Sequence, residues 1–174
     1  MLNAVILGLG RWGQTLVNSI QGKSDKIQIV AGLTGTLSDD AKAFAEGHGF
    51  ALTGNYAELL QRDDVDAVII ASPHSKHAEQ VQQAAAASKH VFCEKPLTLS
   101  YKSTKELFGL AERYNVKLYV DDVFNYRIER KQLLLQLKQF TEVIVKWESP
   151  SADYLYDNLY HDLYLLYPLF SGTE

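Results

Sequence analysis

Short apolar runs alternate with amphipathic stretches along the first 120 residues of the chain. The run Val5-Ile6-Leu7 leads into glycines at 8, 10 and 13, and a helical period follows, with Trp12, Leu16 and Ile20 at i, i+4 and i+8. A second strand is expected at 27–31. Ser38 is placed to cap a helix that passes through Ala41 and Phe44 and stops near Gly47, and Asn55 with Glu58 three residues later has the spacing of a capping box. Residues 65–71 read as the plainest strand after the first, 90–93 and 117–120 supply two more, and helices are expected around 76–88 and 103–114. Strands alternating with helices imply βαβ crossovers, hence an α/β domain over residues 1–122 with a doubly wound parallel sheet covered on both faces.

Beyond Asp122 the pattern changes. Residues 128–140 have a helical period, 141–148 put Val143, Val145 and Trp147 on one face of a strand, and 153–170 are apolar almost all round. A helix of that last kind is buried or covered by a partner. Five of the ten tyrosines lie in the last 21 residues, and Pro168 and Gly172 are placed to end the segment. Residues 123–174 therefore read as a short α+β extension, packed against the first domain because no Pro-rich or low-complexity linker separates the two.

At 174 residues the chain can bury one ordinary core and is too short for two full domains. A net charge of -4 without a basic stripe argues against nucleic acid as a partner. No apolar run approaches the roughly 18 residues that a membrane span needs. The N-terminus enters its first strand without a basic leader region, so no signal peptide is expected. The single cysteine, Cys93, excludes an internal disulfide and suits a reducing cytoplasm.

The glycine turn carries the first chemistry. Strand, Gly8-x-Gly10-x-x-Gly13 and helix follow in the order that a dinucleotide site of the Rossmann type requires. The first glycine permits the tight turn, the second lets backbone approach a pyrophosphate, and the third lets helix and strand pack closely. Arg11 and Trp12 stand at the start of that helix, whose N–H groups and dipole favour an anion. Glycine turns of this kind also occur for packing alone. NAD sites place an acid at the end of the second strand for the ribose 2′-hydroxyl; here Thr34 begins a stretch with no acid until Asp39. Thr34, Thr36 and Ser38 offer hydroxyls and Arg11 a cation, so NADP is preferred, with NAD as the other choice.

Two further motifs, Ala71-Ser72-Pro73-His74-Ser75-Lys76-His77 and Lys89-His90-Val91-Phe92-Cys93-Glu94-Lys95-Pro96, can be read together with this turn. The chain then resembles the Gfo/Idh/MocA family, named for glucose-fructose oxidoreductase, inositol dehydrogenase and a rhizopine-catabolism protein. The resemblance runs to Phe124-Asn125-Tyr126-Arg127. It implies that Glu94, Lys95 and Pro96 close the cofactor pocket, with Lys95 near nicotinamide and substrate and Pro96 fixing the turn. Ser72 and Pro73 would border the cofactor from the neighbouring strand. Read from the residues alone, Lys95 could hydrogen-bond a substrate oxygen or be a surface lysine paired with Glu94. His77 matches a histidine common in the family, yet His74, His77 and His90 could each cap a helix or satisfy a loop carbonyl, and none is assigned catalysis. Cys93 reads as a small buried residue.

Asp157 and His161 are four apart and share a helical face, so the carboxylate could fix the imidazole's tautomer and make it a proton acceptor. They match the polar residues of the family's Asp-x-Gly-x-His motif, while Leu159 stands where the glycine would. A helix-surface ion pair is the plainer reading, and the set is a poor match for zinc, so no metal is expected. The resemblance implies an NAD(P)-dependent oxidoreductase acting on a sugar, polyol or sugar derivative. The competing class is a non-catalytic nucleotide-binding or assembly protein. Family members continue well past this length, which leaves two readings open, a reduced relative or a fragment. The apolar and aromatic surface of 141–170 is more than one such domain can cover, and a homo-oligomer joined through it is expected.

Overall fold

A computed structural model of the chain describes residues 1–121, which form one compact unit. The elements expected at 128–140, 141–148 and 153–170 lie outside the described residues. Within them the chain runs β1 (Leu2–Leu7), α1 (Arg11–Ile20), β2 (Ile27–Leu33), α2 (Asp39–Gly47), β3 (Ala51–Thr53), α3 (Tyr56–Leu60), β4 (Ala67–Ile70), α4 (His77–Ala86), β5 (His90–Glu94), α5 (Tyr101–Arg113) and β6 (Leu118–Asp121). A single 3₁₀ turn at His74–Lys76 precedes α4.

All pairings are parallel, in the order β3-β2-β1-β4-β5-β6. This is the doubly wound order of a Rossmann sheet, and its direction reverses between β1 and β4. Alternation of side chains along β1 explains why that strand is the centre: Val5 and Leu7 enter one core with Val68, Ile70, Val81, Val91 and Leu107, while Ala4 and Ile6 enter the other with Val17, Ile29 and Ala45. Both faces are thus covered, and Ala4 to Leu7 are fully buried.

Two local expectations need correction, and one strand has no counterpart among the expected elements. The edge strand β3 was not legible, since Ala51-Leu52-Thr53 is too short to show a period, and it is pinned only by pairing with β2 at Ala31 to Leu33. Asn55 does cap α3, accepting from the Ala57 N–H at 3.1 Å, but Glu58 accepts from the Asn55 side-chain amide and the Thr53 hydroxyl, so the reciprocal box does not form. Trp12 does not share the core stripe of α1. Gly13 and Val17 make the buried face, and Trp12 is 45% exposed. Ser38 caps α2 as expected, accepting from the Ala41 N–H at 3.2 Å.

Candidate functional site

The carboxyl ends of β1 and β4 meet at the point where the sheet reverses, the place where open α/β sheets bind ligands. Gly8 turns the chain there with φ +95°, and a Cβ on it would stand 2.6 Å from the Ala71 carbonyl oxygen. Gly13 lies one helical turn further, and its Cβ would stand 2.0 Å from the Gly8 carbonyl oxygen. Two of the three glycines are therefore demanded by the protein's own packing. Gly10 differs: among the described residues a Cβ there meets nothing within 4 Å, and its backbone is extended at φ -66°, ψ -177°. Packing among the described residues does not need a glycine at 10, so the open space there fits a ligand's close approach.

Gly10 is also the N-cap of α1. It supplies no side-chain cap, the first turn holds no acid, and the first intrahelical bond is from the Gln14 N–H to the Gly10 carbonyl at 3.0 Å. The N–H groups of Arg11, Trp12 and Gly13 precede that bond, and the helix dipole adds to them. The donor set, the bare cap and the missing negative charge fit a pyrophosphate.

β2 ends at Leu33, so Thr34 is the first residue past it. Its hydroxyl donates to the Thr36 carbonyl at 3.2 Å, while Ser38 is occupied in capping α2. Two of the three hydroxyls that the sequence offers to a 2′-phosphate are thus engaged within their own loop. Asp39 pairs with Lys42 at 3.3 Å on the surface.

The end of β5 brings the second motif to the same edge. Glu94 pairs in register with Asp121 of β6, and its carboxyl is hydrogen-bonded to Asp121 and accepts from the Trp12 indole N–H. Burial, then the hydrogen bond to Asp121 and its charge, push the Glu94 carboxyl up to about 8, while Trp12 pulls the other way. Trp12 is therefore exposed because it reaches across from α1 to the end of β5. Lys95 and Pro96 follow, both half-buried, and their peptide bond is cis. Burial first and the neighbouring Glu94 second raise the Cys93 thiol, which marks Cys93 as a packed, unreactive residue.

His77, Gln80 and Asp121 are the buried polar side chains among the described residues, and all three serve this edge. His77 lies between the Ser72 and Pro96 carbonyls, and Gln80 accepts from the Ser72 hydroxyl. Sequence reasoning missed Gln80 and Asp121. A polar residue on the apolar side of α4, and an acid ending a strand beside another strand that ends in an acid, were the signals available. Pro73 and His74 are exposed, and His90 accepts from the Lys117 N–H at 3.1 Å, a tie between strand ends. Asp157 and His161 lie outside the described residues. Among the described residues no group of three or more His, Cys, Asp or Glu could hold a metal ion, and no helix is long and apolar enough to cross a membrane.

Residues 2–122 match the family model of the Gfo/Idh/MocA oxidoreductases, described as an oxidoreductase family with an NAD-binding Rossmann fold. The chain is similar to dTDP-3,4-didehydro-2,6-dideoxy-alpha-D-glucose 3-reductase of Saccharopolyspora spinosa, 38% identical over 128 residues, which cover 68% of this chain and 39% of that one. Among solved structures it is similar to KijD10, a 3-ketoreductase from Actinomadura kijaniata in complex with TDP-benzene and NADP, with TM-score 0.71, 28% identity and coverage of 80% and 44%. It is likewise similar to scyllo-inositol dehydrogenase from Lactobacillus casei with bound NAD(H) and scyllo-inositol, with TM-score 0.71, 25% identity and coverage of 79% and 42%. The chain spans about a third of the length of the curated relatives it matches first.

Proposed function

This chain belongs to the Gfo/Idh/MocA oxidoreductase family, and from that premise we propose that it binds NADP, or NAD, along the carboxyl edge of its sheet and works as an oxidoreductase on a sugar, polyol or sugar-derivative carbon. One observation carries the reading: of the three glycines, the one whose Cβ would meet no atom of the described residues within 4 Å is the N-cap of α1. Its openness has a use when a dinucleotide is bound. The relatives' substrates, a dTDP-sugar and an inositol, support a polyhydroxylated substrate.

A nicotinamide held along this edge would supply the chemistry of hydride transfer. Gly10, Arg11, Trp12 and Gly13 hold the pyrophosphate through backbone N–H groups, and Thr34 faces the adenosine ribose. The preference for NADP rests on the missing acid at 34. Ser72 and Pro73 border the nicotinamide half from β4, with Glu94 and Pro96 on the β5 side. Lys95 hydrogen-bonds the reacting oxygen, giving its proton to a carbonyl as the carbon is reduced or, in the reverse direction, taking the hydroxyl's proton as the carbon is oxidised. From the i, i+4 spacing of Asp157 and His161 alone, His161 is also proposed as a proton acceptor in this reaction, with Asp157 as its carboxylate. The same reading makes the protein a cytoplasmic homo-oligomer joined through residues 141–170.

Titration of nicotinamide fluorescence is expected to show NADPH bound at least as tightly as NADH. Lys95→Ala should lower turnover by about 10²-fold or more on a sugar or polyol substrate and leave the NADPH Kd near that of the wild type. Equal turnover in wild type and Lys95→Ala would leave a nucleotide-binding protein without lysine-dependent catalysis.

A further inference from the structure

His77 is 1% exposed, and its two ring nitrogens point to different loops. Nε2 lies 2.8 Å from the Ser72 carbonyl oxygen and Nδ1 lies 2.9 Å from the Pro96 carbonyl oxygen. Carbonyl oxygens only accept, so each bond needs a hydrogen on its ring nitrogen, and the two bonds exist together when both nitrogens carry one. The β4–β5 ladder ends at Ile70 and Cys93. Past that pair, among the described residues, no backbone hydrogen bond joins the loop after β4 to the loop after β5. The imidazole takes over where the ladder stops. Gln80, one turn along α4, extends the tie: it accepts from the Ser72 hydroxyl, and its own carbonyl accepts from the Tyr56 hydroxyl at 3.0 Å.

We propose that His77 is the positioning residue of the cofactor cleft, a cross-tie that holds the Ser72-Pro73 loop and the Lys95-Pro96 loop at a fixed separation and so sets Lys95 against the reacting carbon. The inference rests on the cofactor reading above. Its physical basis is reach. Both tied groups are backbone carbonyls, whose positions define the loops themselves, and a rigid planar ring whose two nitrogens each face one carbonyl spans a gap that one flexible polar group cannot span. Burial adds to the effect, because a tie sheltered from water is not exchanged for bonds to solvent.

The two ends can be cut separately. In His77→Asn the amide nitrogen can stand in for Nδ1 and keep the Pro96 bond, whereas in His77→Gln it can stand in for Nε2 and keep the Ser72 bond. Hydrogen exchange on the cofactor-free full chain is expected to rise in segment 71–76 for His77→Asn and in segment 94–100 for His77→Gln, with β1 and β2 unchanged. NADPH affinity, read by nicotinamide fluorescence, should fall about fivefold in each, the size of one net hydrogen bond. Whichever variant folds carries the test. Wild-type exchange or wild-type NADPH affinity in that variant would overturn the proposal, as would uniform loosening of the whole sheet, which marks loss of core packing. A wild type that binds neither NADPH nor NADH would overturn the functional reading and this inference with it, whereas a wild type that binds beside a variant that binds equally well would overturn this inference alone.

Discussion

Glu94 stands between two opposing groups, and its titration follows from which one dominates. The Trp12 indole N–H favours the ionised carboxylate, while burial and the opposed Asp121 favour the protonated acid and win. The native state therefore keeps a proton that the unfolded chain loses near the ordinary value of 4.5. A group whose folded value is raised contributes its stability in full below the unfolded value and loses it as pH rises through the folded one. This contribution should accordingly fall between about 4.5 and about 8 and stay low above. Glu94→Gln resembles the protonated acid, since it can still accept from Trp12 and donate to Asp121. Its stability in urea is expected to be flatter than the wild type's over that window, and the wild type's tryptophan fluorescence should show a transition near pH 8 that the variant lacks. The same transition in both proteins would assign it to another group.

At the scale of elements, packing decides which glycines can change. A glycine inside a helix normally costs stability relative to alanine, by about 0.5–1 kcal/mol. Gly109 in α5 obeys this, because a Cβ there meets nothing within 4 Å, and Gly109→Ala should raise the denaturant midpoint. Gly13 in α1 reverses the sign, since a Cβ 2.0 Å from the Gly8 carbonyl oxygen must push the helix off the turn. Overpacking of that kind costs about 1–3 kcal/mol, which exceeds the propensity gain. Gly13→Ala is expected to lower the midpoint, and an unchanged midpoint would show that α1 yields freely. The contrast also shows what the sequence could reveal. The order of strand, glycine turn and helix was legible because each element has its own period and its own punctuation. The edge strand β3 was hidden because three residues carry no period and their place is set by β2. The spacing of Trp12 to Leu16 and Ile20 fits one helical stripe, and only the end of β5, 82 residues away in sequence, draws it outward. Asp121 was missed for the same reason, since its partner Glu94 becomes a neighbour only through the register of β5 and β6.

The whole molecule responds to its ligand by mass action. On the proposed reading a dinucleotide along the β1, β2, β4 and β5 loops would bind the folded chain and not the unfolded one, so at a free concentration a hundred times its Kd it would add about 2.7 kcal/mol. For a chain of this size that corresponds to a rise in Tm of roughly 5–10 °C. Gly10→Ser separates this gain from the stability of the fold. The extended backbone at Gly10 suits any residue, the Cβ has space, and serine is a better N-cap than glycine by about a few tenths of a kcal/mol. The apo Tm should therefore hold or rise slightly. The serine hydroxyl would take one of the N–H donors of α1 and occupy the ground that a pyrophosphate needs, so the NADPH-induced rise should fall to less than half of the wild type's. Differential scanning fluorimetry of both proteins with and without NADPH gives the comparison. An undiminished rise in Gly10→Ser would mean that the phosphates lie elsewhere, whereas a lost rise over an intact apo Tm would locate them at the glycine that the protein itself has no packing reason to keep.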